Sequence, residues 1–281
     1  MKKHILFFCL FIFISNSASA NIFKIKEVFD KVNSKEGKAA LKVVKTLISL
    51  DEDEEIEIGK VASLMLIDKF GLYNNQVAEK YVNMVGAVLV ENCERANLKF
   101  HFNILNTDSV NAFACPGGFI FITRGALNLA QNEDELAAIL AHEIAHITLK
   151  HEVKEIKKSN ILKELASLYA EKNDAVVQAL ADFVVNNLLV KGRNRQDEFE
   201  ADAHSLNYMR NHNYYPLLNF YLARLNTENE KNPSKLEYLT KTHPPLNERI
   251  QKLEGSSDFE GSDMELRKTR FDFIKNVIEQ N

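Results

Sequence analysis

One short segment combines residues that bind metals with a residue that moves protons. Residues 142–146 read HEIAH, an H-E-x-x-H pattern. Asn132 is a suitable N-cap for a helix that would project His142 and His146 from one face, one turn apart, close enough to bind a single metal ion. Glu143 is rotated about 100° from His142, so its carboxylate lies beside the ion rather than on it. A base must lie beside the ion in this way to take a proton from the attacking water.

A catalytic zinc site of this kind needs a third protein ligand, and the candidate lies further along the chain. Glu198 and Asp202 are spaced at i and i+4 in a predicted helix. One carboxylate of such a pair ligates, while the other accepts the spare ring N–H of a ligating histidine. We therefore predict Glu198 as the ligand and Asp202 as the supporting acceptor. The rival is Glu200, which pairs at i+4 with His204 and lies about 200° around the helix from Glu198.

The remaining histidines are assigned structural roles. His151 lies nine residues past His142, which places it on the opposite side of a continuous helix, and we expect it at a helix C-terminus favoured by the dipole. The same structural expectation applies to His101, His204 and His212. The plain alternative for the whole motif, two histidines on a solvent-exposed face, fits poorly because the flanking residues are small and apolar.

Hydrophobic periodicity indicates the elements that position these residues. It predicts helices at 59–70, at 76–89 and from 133 onward, and strands at 98–104 and 119–123. The acidic run 51–55 is interpreted as a solvated helix start, and 116–118 as a turn. The predicted fold class is α+β, a mainly helical domain with one small sheet just before the helix that carries the histidines. The predicted divisions are a signal peptide at 1–20, an N-terminal helical segment at 21–50, a main domain at 51–255 and a C-terminal helical tail at 256–281.

Composition limits the classes of partner and the compartment. The chain has 281 residues and a formal net charge of −4, with no basic patch, which argues against nucleic acid as a partner. A basic start, a short apolar run and an A-S-A ending predict cleavage of a signal peptide before Asn21. Roughly ten apolar residues cannot cross a bilayer, and no longer apolar run follows, so we expect a soluble mature protein. Cys93 and Cys115 either pair in an oxidising compartment or remain buried thiols.

These segments together resemble the M48 metallopeptidase family, which groups bacterial periplasmic proteases with membrane-bound CAAX and mitochondrial quality-control members. The resemblance covers roughly residues 55–255. It rests on ordered motifs: N-A-F-A and P-G-G within 111–118, T-R-G at 123–125, D-E-L-A at 134–137, H-E-x-x-H, E-x-x-x-D at 198–202, and T-H-P-P with E-R-I within 242–250. It implies a zincin-like (gluzincin) fold, with one zinc ion per chain held by His142, His146 and Glu198 and with Glu143 as the catalytic base.

The resemblance also implies a substrate-binding edge. Residues from Asn111 to Gly117, including Ala112 and Phe113, are implied to form the edge of the small sheet beside the cleft. An extended substrate could bind there as an added strand, through backbone hydrogen bonds that do not depend on side chains. The simpler interpretation of P-G-G is a tight turn, and both can hold.

Two further roles come from the T-H-P-P and E-R-I motifs. His243 is implied either to occupy the water position in a resting enzyme or to stabilise the tetrahedral oxyanion, and Arg249 is implied to anchor this loop by pairing with a carboxylate. We expect the protein to differ from some relatives, without the transmembrane segments of the CAAX-type and mitochondrial branches or the repeat domain of some periplasmic members. Cys115 also stands where relatives usually have an aliphatic or aromatic residue.

The implied function is a zinc endopeptidase that acts on unfolded or damaged extracytoplasmic proteins after secretion across the inner membrane into the periplasm. One alternative is a chaperone-like peptide-binding protein with a degenerate metal site, against which the intact Glu143 argues. Another is a latent protease with His243 as a fourth ligand. Peripheral contact with a membrane or with envelope assembly machinery is left open, as is the oligomeric state.

Overall fold

The computed structural model describes residues 50–159, 174–253 and 264–279. Its helices are α1 (Glu52–Phe70), α2 (Gln76–Val90), α3 (Arg124–Leu129), α4 (Glu133–Thr148), α5 (His151–Lys158), α6 (Asp174–Asn186), α7 (Arg195–Asn211), α8 (Leu218–Lys231), α9 (Glu237–Thr242), α10 (Leu246–Leu253) and α11 (Met264–Glu279). Its strands are β1 (His101–Leu105), β2 (Ala112–Cys115) and β3 (Phe119–Thr123). The predicted signal peptide at 1–20, the predicted segment at 21–50 except its last residue, and positions 256–263 of the predicted tail lie outside the described residues. Within the described ranges, no helix has the length and hydropathy needed to cross a membrane.

The predicted α+β class, mainly helical with one small sheet, is confirmed. The sheet has the order β1-β3-β2, in which β1 runs parallel to β3 and β2 runs antiparallel to it. The strand predicted at 119–123 has those bounds, and the one predicted at 98–104 is observed as β1. Periodicity did not predict β2, because all four of its residues are buried and apolar and therefore show no alternation.

The sheet is buried because a hydrophobic core covers each of its faces. Ile120 and Ile122 belong to a first core, built mainly with α2, α4, α7 and α8. Phe121 belongs with Phe113 to a second core, built mainly with α1 and α6. Both faces of β3 are therefore apolar, as expected for a strand covered on both sides. Cys93 lies in the first core and Cys115 in the second, and both thiols are free and buried.

Helix α1 begins in the acidic run, where the Asp51 side chain accepts a hydrogen bond from Glu54 N at 3.0 Å. The prediction of a solvated run is wrong for Glu55, which is buried. Its Oε1 accepts from Arg95 Nη1 at 2.6 Å and from Gly117 N at 3.1 Å. Glu55 thus fixes the start of α1 against the turn between β2 and β3.

Helix α4 is the central element, and every residue in it is buried. Asn132 caps its N-terminus as predicted, accepting from Glu135 N at 2.9 Å. The three acidic residues of the first turn form ion pairs with arginines of α8 and α11: Glu133 with Arg270, Asp134 with Arg267 and Glu135 with Arg224. The negative charges lie at the positive end of the helix dipole and each has a cationic partner, so the N-terminus of α4 is held firmly.

We expect Gly59→Ala to lower the free energy of unfolding by about 1–3 kcal/mol or more, because a Cβ at this position would lie 1.8 Å from the Pro116 carbonyl oxygen. The loss should outweigh the gain of roughly 1 kcal/mol that alanine brings to a helix interior. Urea unfolding followed by circular dichroism measures the change. The control is Leu64→Ala on the same helix, where a side chain that is 65% exposed should change stability by about 0.5 kcal/mol or less. Equal stability of wild type and Gly59→Ala would contradict this packing.

Candidate metal centre

Helices α4 and α7 bring the three predicted ligands together. Nε2 of His142 lies 3.0 Å from Nε2 of His146, and the Glu198 oxygens lie 3.6 Å and 3.4 Å from these two nitrogens. Zinc bonds of about 2.0–2.1 Å in a tetrahedron require ligand atoms roughly 3.3 Å apart. The observed separations therefore fit a single zinc ion, and two imidazoles with one carboxylate form a donor set that catalytic zinc takes.

Glu198 has the environment of a carboxylate that faces a cation. It is fully buried, and neither of its oxygens has a hydrogen-bond partner in the part of the chain that the structure describes. The nearest guanidinium nitrogens remain distant, with Arg249 Nη1 3.9 Å from Oε2 and Arg193 Nη1 4.0 Å from Oε1. Burial opposes ionisation of Glu198, but the neighbouring imidazoles and Arg249 outweigh it and lower the pKa. A buried carboxylate with unused lone pairs needs a positive partner.

Asp202 contacts the opposite side of the His142 ring. Its Oδ1 lies 2.9 Å from His142 Nδ1, and Arg249 donates to Oδ1 at 2.6 Å and to Oδ2 at 2.9 Å. Burial and Arg249 lower the pKa of His142, but the neighbouring Asp202 and Glu198 carboxylates outweigh them and raise it to about 9. Because Nδ1–H donates to Asp202, Nε2 is directed to the point that Glu198 and His146 also face.

Glu143 lines a cleft next to the predicted ligands. His142, Glu143 and His243 present polar atoms within 4.8 Å of one another. The carboxyl group is buried, and its Oε2 has no hydrogen-bond partner among the described residues. Burial raises the pKa of Glu143, although Arg193 and His142 act in the opposite direction. A carboxylate with a raised pKa beside a metal position is a stronger base than an ordinary glutamate and is suited to accept a proton.

His243 follows α9 and approaches the same point from the other side of the cleft. Its Nε2 lies 3.6 Å from Glu198 Oε2, while its Nδ1 lies 3.3 Å from the Leu239 carbonyl oxygen and 3.0 Å from Thr242 Oγ1. A carbonyl oxygen only accepts hydrogen bonds, so Nδ1 carries the ring hydrogen and Nε2 presents its lone pair. Burial lowers the pKa of His243 to about 4 in spite of the nearby Glu198 carboxylate, so the ring is neutral.

Arg193 is a buried residue of the site that sequence reasoning missed. Its Nε donates to Glu152 Oε1 at 2.8 Å and its Nη2 donates to the Ala114 carbonyl oxygen at 3.3 Å. It therefore connects α5, the edge strand β2 and the start of α7 beside Glu198. An arginine next to a helix N-cap belongs to no periodic pattern, so the sequence held no signal for this contact.

Two expectations about residues near the site are wrong. His151 does not end a helix but begins α5, because Lys150 adopts a left-handed conformation (φ 57°) that separates α4 from α5. Glu200 does not pair with His204; its Oε2 lies 3.5 Å from His151 Nε2, and His204 Nδ1 lies 3.2 Å from Glu94 Oε1. The first error follows from treating the chain beyond Thr148 as a continuation of α4, and the second from an i, i+4 spacing on α7 that contacts with other elements override.

The other two histidines in the described ranges lie away from the predicted ligands. The His101 ring stacks on Phe119 with centroids 5.0 Å apart, on the first residue of β3. His212 Nε2 lies 3.4 Å from the Asn92 side chain, in a part-exposed position. Neither belongs to a cluster of metal-ligating atoms in the described ranges.

Strand β2 forms the edge of the sheet next to the cleft. Asn111 and Ala112 line the cleft, and neither polar atom of the buried Asn111 side chain has a hydrogen-bond partner in the described chain. The Asn111 backbone pairs with Thr123 at 3.0 Å, so the backbone of Ala112 faces the free edge. Phe113 packs in the second core, and the amide of Gly117 is engaged by a glutamate, so these two predicted positions do not face the cleft.

The chain is similar in sequence to known proteins over most of the helices and strands that form this site. The profile of peptidase family M48 matches residues 76–257. The beta-barrel assembly-enhancing protease of Yersinia pestis is 32% identical over 117 residues, which are 42% of this chain and 24% of that protein. The Escherichia coli (strain K12) protein of the same name is 32% identical over 103 residues, 37% of this chain and 21% of that protein. The mitochondrial metalloendopeptidase OMA1 of Schizosaccharomyces pombe is 30% identical over 174 residues, 62% of this chain and 51% of that protein.

The matched segments therefore span from 21% to 51% of these relatives' own lengths. The family match runs from α2 through α10 and includes every residue of the candidate metal centre. It confirms the resemblance based on the ordered sequence motifs. The chain belongs to peptidase family M48.

Proposed function

We propose that the protein is a zinc-dependent endopeptidase with His142, His146 and Glu198 as metal ligands and Glu143 as the catalytic base. The observation that carries the proposal is the convergence of three ligand atoms on one buried point beside the Glu143 carboxyl group, whose Oε2 has no hydrogen-bond partner among the described residues. A structural zinc site is closed by four protein ligands, whereas a catalytic one has three and an open position. The names of the relatives, protease and metalloendopeptidase, support the same activity.

A zinc ion in this site supplies Lewis-acid chemistry, which polarises the scissile carbonyl and acidifies water. Glu143 takes the proton from the attacking water and delivers it to the nitrogen of the leaving amine. Its raised pKa suits both steps, because the carboxyl group must hold the proton between them. Asp202 keeps His142 in the tautomer that directs Nε2 to the site, and Arg249 keeps Asp202 ionised.

The cleft favours an extended polypeptide with an apolar side chain near the scissile bond. The backbone of Ala112 is positioned to pair with an added strand, and the Asn111 amide offers a donor and an acceptor. The wall of the cleft is apolar and is formed by Ile139, Leu218, Tyr221, Leu222, Leu225 and Leu239. Because backbone pairing does not depend on side chains, unfolded chains of varied sequence can occupy this edge.

The substrates are unfolded or damaged proteins outside the cytoplasm. The predicted signal peptide at 1–20 supports export, with the periplasm as the destination. The name of the bacterial relatives, which refers to β-barrel assembly, supports contact with envelope assembly machinery. The alternative of a chaperone-like peptide-binding protein has less support, because peptide binding alone does not require a buried glutamate whose Oε2 has no hydrogen-bond partner in the described chain.

We expect Glu143→Gln to retain zinc but to lose peptidase activity by about 10²–10⁴-fold, because the amide cannot accept a proton. Metal analysis and casein degradation by the purified proteins measure the two properties. Glu237→Gln is the control, since its exposed carboxylate only pairs with Lys241, and it should keep both zinc and activity. Full activity of zinc-loaded Glu143→Gln would rule out the assignment of the base.

The assignment of the third ligand is tested by two substitutions on α7. Glu198→Ala should leave the protein largely without zinc after dialysis, whereas Glu200→Ala should keep most of it, because Glu200 lies on the other side of the helix and faces His151. The measurement is the zinc content per chain at equal protein concentration. Similar zinc loss in both variants, or greater loss in Glu200→Ala, would contradict the choice of Glu198.

The geometry of His243 favours a resting-state ligand over an oxyanion donor. With its hydrogen on Nδ1, the neutral ring has no hydrogen at Nε2 to donate, but it has a lone pair directed at the site. His243 would then hold the position that substrate or water must take, and the protein would be partly latent.

We therefore expect His243→Ala to raise the initial rate of casein degradation. The rise would be roughly tenfold if the latent arrangement holds about 90% of the molecules. Zinc content is measured alongside the rate, and His212→Ala serves as the control histidine substitution away from the site. A fall in rate at unchanged zinc content would favour the oxyanion role instead.

A further inference from the structure

A second pair of histidine rings meets behind the candidate metal centre. Nδ1 of His146 lies 2.8 Å from Nδ1 of His151, and the ring centroids are 4.9 Å apart at an interplanar angle of 71°. Both side chains are buried, at 1% and 0% exposure. The distance is that of a hydrogen bond between the two rings.

The contact depends on the break between α4 and α5. In a continuous helix, a residue five positions after His146 would lie about 140° around the axis and could not touch it. The left-handed Lys150 (φ 57°, ψ 39°) ends α4 and turns the chain, so that His151 begins α5 with its ring against His146. A non-glycine residue in this conformation costs about 1–2 kcal/mol, so the surrounding contacts must hold the turn in place.

The hydrogen bond fixes the tautomers of both rings. Nε2 of His146 faces His142 and Glu198, and a zinc ion bound there takes the lone pair of Nε2, which leaves the ring hydrogen on Nδ1. His151 must then present a lone pair at Nδ1 and carry its own hydrogen on Nε2. That nitrogen lies 3.5 Å from the Glu200 carboxylate, which is the type of group that stabilises this tautomer.

We propose that His151 is a positioning residue for the metal: it accepts the Nδ1–H of His146 and thereby fixes the tautomer and ring orientation of that ligand. Asp202 makes the corresponding contact with His142, so each ligating imidazole has its own acceptor on the side away from the metal. Such partners raise the basicity of the ligand and prevent the ring from rotating. The proposal rests on the proposed function, because it takes His146 to be a zinc ligand.

The same contact argues against a second cation beside His151. Atoms of His151, Asp197 and Glu200 lie close enough to hold one ion. A cation on Nε2 of His151 would place the ring hydrogen on Nδ1, where it would meet the Nδ1–H of a zinc-bound His146 at 2.8 Å. Two donors cannot share one hydrogen bond, so zinc at the first site disfavours an ion at the second.

The test compares two substitutions that separate the hydrogen bond from packing. His151→Asn keeps an acceptor near the position of Nδ1 but removes volume, whereas His151→Phe keeps the ring but has no acceptor. His212→Ala is the control. Zinc affinity of the purified full chain is measured by competition with a chelator, and the melting temperature of the metal-free protein is measured in parallel.

We expect His151→Phe to weaken zinc binding by about 10–100-fold, while His151→Asn and His212→Ala remain much closer to wild type. Wild-type affinity in His151→Phe, or equal losses in the Asn and Phe variants, would overturn the role of His151 without touching the proposed function. Failure of the wild-type protein to bind zinc would overturn the proposed function and this proposal together.

A measurement on the wild-type protein covers the case in which His151→Phe does not fold. Histidine side-chain nitrogen shifts of the zinc-loaded protein report the tautomer of each ring, and His151 signals are assigned by their loss in His151→Asn. We expect His151 to carry its hydrogen on Nε2. A hydrogen on Nδ1 of His151 would overturn the proposal.

Discussion

The packing of α7 against α4 is the contact on which the site depends, because it buries Glu198 between His142 and His146. Moving an ionised carboxylate out of water costs several kcal/mol, even after the protein relaxes. The two guanidinium groups about 4 Å away return only part of this cost, since they make no hydrogen bond to the Glu198 oxygens in the described chain. The close packing of the two helices is therefore tolerated because imidazole and guanidinium groups, which are able to carry positive charge, surround the buried Glu198 carboxylate.

Helix α4 can present its histidines accurately because it is held at both ends. Its first turn is tied by three ion pairs to arginines of α8 and α11, and its last turn ends at the left-handed Lys150. Between these points every side chain is packed in the interior. A site on a helix fixed in this way holds its geometry better than a site on loops. Parts of the chain far from the cleft, α11 included, thus contribute to where His142 and His146 lie.

Local patterns account for what the sequence could predict. The i, i+4 spacing predicted that His142 and His146 face the same point, and that Asp202 lies one turn after Glu198. Alternation and apolar runs located β1 and β3, and the Asn132 cap located the start of α4. Each of these features depends on residues that lie within about one helical turn or one short strand of each other. They can therefore be predicted from a single sequence.

The missed features depend on contacts between residues distant in sequence, or on backbone conformations that the residue type does not indicate. Lys150 in a left-handed conformation could not be predicted, because lysine rarely adopts it, and this error led to the wrong placement of His151. Glu55 looked solvated because it sits in an acidic run, yet tertiary contacts with Arg95 and the turn bury it. The burial of Arg193 likewise becomes visible only when α5, β2 and α7 are brought together.

The distribution of charge explains why two buried glutamates at the site can act differently. Asp202 is hydrogen-bonded to Arg249 and Glu152 to Arg193, whereas the same two guanidinium groups lie 3.9 Å and 4.0 Å from the Glu198 oxygens and make no hydrogen bond to them. Glu198 lies among imidazoles and near both arginines, and its pKa is lowered. Glu143 is desolvated on the cleft side, and the charge on Glu198 adds to the rise of its pKa. An environment that separates two carboxyl pKa values in this way assigns one group to stay ionised and the other to exchange a proton. A divalent cation would displace the extra ring proton of His142, whose pKa is raised, and would balance the charge of the two carboxylates.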